Sequence, residues 1–186
     1  MIAYKGFNKD LTCRGHQFKE TEVNITDNAN VTQNGFHCAE NPLDCLDYYP
    51  NWNESVYYKV IADGDLNEDG CDSKISCTRL SILEKLDINR FIDMSLEYMV
   101  KHPLRKCNSR VKEEYAEAEE GFIIVRGKYP VVKGKIGVTI GMAQECAISS
   151  RIIRIKRFTI DGTRYLPDVW YDILGCPADF EREVIK

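Results

Sequence analysis

Hydrophobic and polar positions change period several times along this chain, and the changes mark its elements. From Ile2 to Phe7 they alternate weakly, which predicts a first strand. Asn8 to Gly15 is polar and reads as a loop. Phe18, Val23 and Ile25 predict a second short strand over 18–25, and Asp27 to Gly35, dense in Asn and Thr, predicts another loop. Phe36-His37-Cys38-Ala39 reads as a brief extended piece. At Asn41-Pro42 the pattern turns helical, with an N-cap residue, proline at the first helical position, and Leu43, Leu46 and Tyr49 at helical spacing. Two turns are predicted from about Pro42 to Tyr49, stopping before Pro50. Ser55 to Ala62 (SVYYKVIA) is the clearest strand.

Asp63 to Ser73 predicts a polar turn region and Lys74 to Leu83 another strand. Behind Asp87 the period becomes 3.6: Ile88, Phe91, Ile92, Leu96 and Met99 predict a helix to about Lys101. Cys107 to Glu120 is charged and reads as a solvated helix or a mobile connection. The last third predicts short strands at 122–125, 131–132, 136–140, 147–158 and 165–173. Gly134, Gly137 and Gly141 punctuate it as in a stacked turn array. Asp161-Gly162 between two strand patterns predicts a type I′ hairpin. The class is α+β and β-rich: a strand–loop–helix–strand front, one longer helix and a strand-dominated end. Residues 1–186 read as one domain, with a possible subdivision into 1–105 and 121–186 joined by the acidic connection.

The chain has 186 residues and a formal charge of -4, from 25 Lys and Arg against 29 Asp and Glu. That balance argues against a general nucleic-acid coat, which needs excess cation to release counterions. No stretch is long and apolar enough to span a bilayer, and the opening residues carry no apolar signal core, so the expectation is a cytoplasmic protein. Eight cysteines and three glycosylation-type triplets, at Asn24, Asn30 and Asn53, point to an oxidising compartment. A chain of this length buries a core without staples, and free thiols in a reducing cytosol are the expectation.

Several residues carry possible chemistry. Cys13 and His16, with His37 and Cys38 some twenty residues on, have ligand types suited to zinc, but adjacent residues of a strand face opposite ways. Asp65, Asn67 and Asp69, followed by Gly70, match the first half of a calcium loop; the closing Glu is replaced by Ser76. Arg151, Arg154, Lys156 and Arg157 form a basic cluster in a predicted strand, fit for phosphate, for an acidic partner or for a charged edge. No nucleophile elbow, phosphate loop or dinucleotide fingerprint is present. His37 is placed at a strand end before a capped helix, whose free amides would receive an anion.

The segments Lys5-Gly-Phe-Asn-Lys-Asp-Leu-Thr-Cys-Arg-Gly15 and Gly35-Phe-His-Cys-Ala-Glu-Asn-Pro-Leu-Asp44 resemble an uncharacterised domain family. It is found largely in bacteriophages, prophages and Firmicutes- or Bacteroides-type bacteria. Tyr48-Tyr49, Gly64-Asp65, Asp72-Ser-Lys-Ile75, Ile160-Asp-Gly162 and Pro167-Asp-Val-Trp-Tyr171 extend the resemblance. Many members repeat SKIAA-like rungs; this chain has Ser73-Lys-Ile-Ser-Cys77 once, so any rung-stacked region is expected to be short. The order Tyr4-Lys5-Gly6, Gly35-Phe36-His37, Leu43 to Tyr49 and Val56 to Ala62 also looks like the ADP-ribosyltransferase arrangement, whose strand–helix unit grips the nicotinamide end of NAD. The usual first-strand His or Arg is Tyr4 or Lys5 here, and no catalytic Glu stands out.

These resemblances imply an accessory protein of phage or prophage origin that binds a host or defence-related protein, or a nucleotide-like ligand, in the host cytoplasm. An ADP-ribosyltransferase-like enzyme using NAD and a metal-stabilised module are the alternatives. In the ligand readings Lys5, Gly6, Gly35, Phe36, His37 and Tyr49 line the cleft.

Overall fold

The computed structural model describes residues 1–30, 33–68 and 73–180. The fold is β-rich α+β, with 48% strand against 12% helix. Two compact units divide the chain, Met1–Asp87 and Ile88–Lys186. Among the described residues no helix is long and apolar enough to cross a membrane.

The first unit holds strands β1 (Ile2–Asn8), β2 (Thr12–Cys13), β3 (His16–Gln17), β4 (Asn24–Ile25), β5 (Phe36–Ala39), β6 (Ser55–Glu68) and β7 (Lys74–Leu86), with a 3-10 helix at Pro42–Asp47. The main sheet runs β4-β7-β5-β1-β6, and β7 also pairs with β6, so the ladder returns on itself. Inward positions fill the ring: Ala3, Phe7, Phe36, Cys38, Tyr58, Val60, Ala62, Ile75, Cys77 and Leu80 form one buried cluster, plugged by Phe18. Phe18 packs on Phe7 and Phe36 at 5.0 and 4.9 Å between ring centroids.

One expectation fails here. The polar stretch after Ala62 is not all turn, because β6 continues to Glu68 through a bulge between Asp63 and Leu66. Gly64 there has φ of +74°, Thr78 Oγ1 occupies the space a side chain would need, and the Asp65 amide donates to that oxygen at 2.9 Å. Asn24, of the first triplet, lies in β4. It is buried, with its amide bonded to the carbonyls of Lys19 and Leu80.

The second unit contains α1 (Ile88–Lys101) and strands β8 (Val111–Ala118), β9 (Phe122–Gly134), β10 (Thr139–Glu145) and β11 (Ile152–Thr159), in the sheet order β11-β10-β9-β8. β8, β9 and β10 run parallel, although only three to four residues join them. Parallel neighbours need a long return, and here the strands themselves supply it by bending. Val111 lies beside Ile124 and Phe122 beside Thr139, offsets of 13 and 17 residues, so the chain coils upon itself. Residues 74–77, by contrast, belong to β7 in the first unit's sheet.

The acidic segment 107–120 is not a helix or a free connection. Its 111–118 part is β8, and the unit boundary falls earlier, between Asp87 and Ile88. Alternation is hidden because β8 bulges between Glu113 and Tyr115, where Glu114 has φ of +59°. The Glu114 carboxylate accepts from the amides of Lys128 at 2.9 Å and Tyr129 at 3.0 Å, over a side-chain-free Gly127. Helix α1 closes on β10 because Gly141 has no side chain: a methyl there would meet Ile92 Cγ2 at 2.6 Å.

Beyond β11, the predicted hairpin at Asp161-Gly162 does not form. The Asp161 carboxylate collects the amides of Thr163, Arg164 and Tyr165 at 2.8–3.0 Å, which winds the chain into a wider turn. Residues 165–173 are not a strand. Tyr171 alone bridges β9, exchanging backbone bonds with Val132, and with Tyr165 and Phe158 it fills the core under the coil. The turn with positive φ at both central residues occurs instead at Arg14-Gly15 (φ +49° and +80°), between β2 and β3.

Candidate functional site

The seam between β1 and β5 is the weak point of the first unit's ring. These strands share one paired position, Tyr4 with Ala39. On either side of that seam Lys5 and Gly6 from β1, and His37 and Cys38 from β5, line a common cavity of about 440 Å³. That is the size of a small-molecule site.

Lys5 follows the strand period and so shares the inward face with Ala3 and Phe7. It is 3% exposed. Its ammonium lies 5.1 and 5.2 Å from the ring centroids of Phe7 and Phe18. It donates to the His37 carbonyl at 2.6 Å and to Cys13 Sγ at 3.4 Å. Among the described residues no carboxylate pairs with it. A buried charge is normally paired. Here a carbonyl, a thiol and two ring faces meet two of three N–H donors, leaving one for a ligand.

Three elements build the walls. The 3-10 helix is started by Asn41, whose side chain accepts from the Leu43 amide at 3.2 Å. It brings Asp44, Cys45, Tyr48 and Tyr49 to the cavity. Tyr49 seats its ring against Gly6, and its carbonyl accepts from the Tyr57 hydroxyl. The β2–β3 hairpin presents Cys13 and Arg14, and β7 brings Lys74, opposite Ala39 in register. The Lys74 ammonium bonds Tyr48 Oη at 2.8 Å and lies 5.1 Å from that ring's centre.

The lining is cationic. Lys5, Arg14 and Lys74 face one carboxylate, Asp44, which is tied to Ser73 Oγ at 2.6 Å, to the Ser73 amide at 3.3 Å and to Asn41 Nδ2 at 3.2 Å. His37 Nε2 is buried without a hydrogen-bond partner. Burial first, then the charges of Arg14, Lys5 and Lys74, push the His37 pKa down to about 4, so the ring is neutral at neutral pH. Burial, and then a hydrogen bond with the Cys13 thiol, raise the Tyr49 phenol above its usual range. The arrangement offers positive charge for an anion, tyrosine rings for a flat group, and an unfilled imidazole nitrogen.

Of the six residues read from sequence as a cleft, Lys5, Gly6, His37 and Tyr49 line this cavity; Gly35 and Phe36 do not. Strand alternation turns Phe36 to the opposite face from His37, where it is 6% exposed against Phe18 and His16. Gly35 has φ of +87° and is pressed against Ser76 Oγ and the backbone of Asn28 and Ala29, so its role is conformational. The sequence reading of the cleft left out Arg14, Ala39, Asp44, Cys45, Tyr48 and Lys74; it named Tyr4 only as an alternative to Lys5, and Cys13 and Cys38 only as candidate zinc ligands. The Arg14-Gly15 turn and the tyrosine doublet were available signals; Lys74 reaches the site only through cross-strand register.

The helix N-terminus is not an anion site, because Asn41 already takes the amides of Leu43 and Asp44. Asp65 and Asn67 sit in β6, with Asn67 beside Ser76, rather than in a calcium loop, and Asp69 lies outside the described residues. Cys13 faces His16 across the hairpin, but the His16 ring packs on Phe18 and Phe36 at 4.6 and 4.9 Å. Among the described residues no group of three or more His, Cys, Asp or Glu is placed to hold a metal.

Residues 1–94 match a family described as a domain of unknown function, DUF7666. The chain belongs to this family. The match spans the whole first unit, every cavity-lining residue included, and ends inside α1. No curated protein and no solved structure matches the chain.

Proposed function

We propose that this DUF7666 chain is a binding protein whose first unit takes a small anionic, nucleotide-like ligand in the Lys5–Tyr49 cavity. The observation that carries the reading is the buried Lys5 ammonium, unpaired by any carboxylate among the described residues and facing a cavity with two further cations. A phosphate supplies the missing negative charge, and a base has Tyr48 and Tyr49 to lie against. The phage or prophage setting, the host cytoplasm and a host or defence-related protein partner belong to this proposal through the resemblance of the opening segments. A thermal-shift panel of nucleoside mono- and diphosphates, NAD and inorganic phosphate tests the ligand. A rise in Tm with a nucleotide, lost in Lys5→Met, supports it; no shift with any member at millimolar concentration overturns it. Pulldown from host lysate, with and without the bound nucleotide, tests the protein partner.

A second reading, an ADP-ribosyltransferase-like enzyme, is favoured by Gly6 under the Tyr49 ring beside His37, the order that the resemblance associates with nicotinamide. The carboxylate lining the cavity, Asp44, is occupied by Ser73 and Asn41, which favours binding over turnover. Release of nicotinamide from NAD decides between them.

A further inference from the structure

The second unit's sheet ends in two edge strands of opposite charge. Among the described residues β11 pairs with β10 alone and β8 with β9 alone, and the Tyr115 ring of β8 packs on Phe180 at 5.3 Å between ring centroids. Residues 151–159 carry Arg151, Arg154, Lys156 and Arg157 and no acid; residues 111–120 carry Glu113, Glu114, Glu117, Glu119 and Glu120 against Lys112. Each strand is eight residues long. Within the unit Arg157 is bonded to Asp93 and Asn89, Lys156 to the Leu174 carbonyl, Glu117 to Lys133, and Glu114 to the Lys128 and Tyr129 amides. The side chains of Arg151, Arg154, Glu113 and Glu120 have no hydrogen-bond or ion-pair partner among the described residues, while the Glu119 carboxylate lies close enough to Lys135 to add to the raising of its pKa by Asp168. Two isoleucines on the basic strand, Ile153 and Ile155, are 56% and 38% exposed.

We infer that copies of this chain associate end to end, β11 of one molecule adding as an antiparallel strand to β8 of the next. A charged edge protects a sheet from its own kind when both edges carry the same sign. Opposite signs do the reverse: they repel a β11–β11 or β8–β8 pairing and favour β11 against β8. The direction also fits. β8 runs parallel to β10, and β11 runs antiparallel to β10, so the added strand continues the alternation already present at β10–β11. Such a contact joins two different surfaces, so it propagates into short filaments or closes into a ring. Exposed ion pairs are individually weak and screened by salt, so the association is concentration-dependent and favoured at low ionic strength.

Sedimentation velocity of the full chain tests this at about 20 mM and about 500 mM salt. The expected result is a mass that rises with concentration at low salt and collapses to monomer at high salt. Arg154→Glu and Glu113→Lys, both at exposed positions, each abolish the rise, and an equimolar mixture of the two restores association; circular dichroism confirms that both fold. Three results each overturn the proposal: a wild-type chain that stays monomeric at low salt, association indifferent to both substitutions, or capture of an acidic extended peptide on β11 by a monomeric chain.

Discussion

Gly6 lies directly beneath the Tyr49 ring: a methyl group at position 6 would sit 2.6 Å from Tyr49 Cδ2 and 2.8 Å from Cγ. The cavity's aromatic wall stands where it does because β1 has no side chain at this point. Gly6→Ala is expected to displace Tyr49, to cost about 1–3 kcal/mol of stability by overpacking, and to weaken nucleotide binding. Chemical denaturation and calorimetric titration read the two effects separately. A variant as stable and as competent as wild type would show that the ring moves freely.

Lys5→Met keeps the packing of the stem between Phe7 and Phe18 and removes the charge. The expected outcome is a folded protein whose affinity for the anionic ligand is weaker by about tenfold or more, the worth of one charge-assisted hydrogen bond. Equal loss of affinity for an uncharged nucleoside would place the effect in packing rather than charge.

His37 supplies a pH dependence with a definite sign. Its folded pKa, about 4, lies below the ordinary histidine value, so between these the unfolded chain binds a proton that the folded chain does not. Its contribution to stability is complete above roughly pH 6.5, falls as the pH is lowered toward 4, and is constant below. Histidine NMR titration is expected to give His37 the low midpoint, and His37→Gln to flatten this part of the Tm–pH curve. A midpoint near 6.5 would contradict the buried, cation-flanked setting.

In the second unit, Glu114→Ala removes the acceptor for the Lys128 and Tyr129 amides and is expected to cost about 1–3 kcal/mol. Glu114→Gly should cost less, since glycine adopts a φ of +59° without strain. Denaturant unfolding of both variants measures the difference. The opposite order would show that the positive φ at position 114 carries no strain that glycine relieves.

Where residues speak to their sequence neighbours, the chain was legible. Asn41-Pro42 set the start of the 3-10 helix and Pro50 its limit; the dense Val and Tyr of 55–62 set β6; the 3.6 period behind Asp87 set α1. The resemblance makes Lys5 a cleft residue; its place on the core face beside Ala3 and Phe7, which makes its charge informative, came from the structure. Misreadings came where a distant group overrode a local pattern. The run of glutamates in β8 is paired to β9 and its bend is held by amides from residues 128 and 129. The Asp161 carboxylate took three amides that a tight hairpin leaves free.

From the sequence alone came the class of fold and its main elements, because alternation and capping are decided over a few residues; the four shared cavity residues, Lys5, Gly6, His37 and Tyr49, came from the resemblance. Tertiary structure decided that β1 and β5 meet at one pair, that Lys74 arrives opposite Ala39, and that acidic and basic strands end up as the two edges of one sheet. Those are facts of register and strand order, set by which apolar faces bury each other across dozens of residues, and no local pattern encodes them.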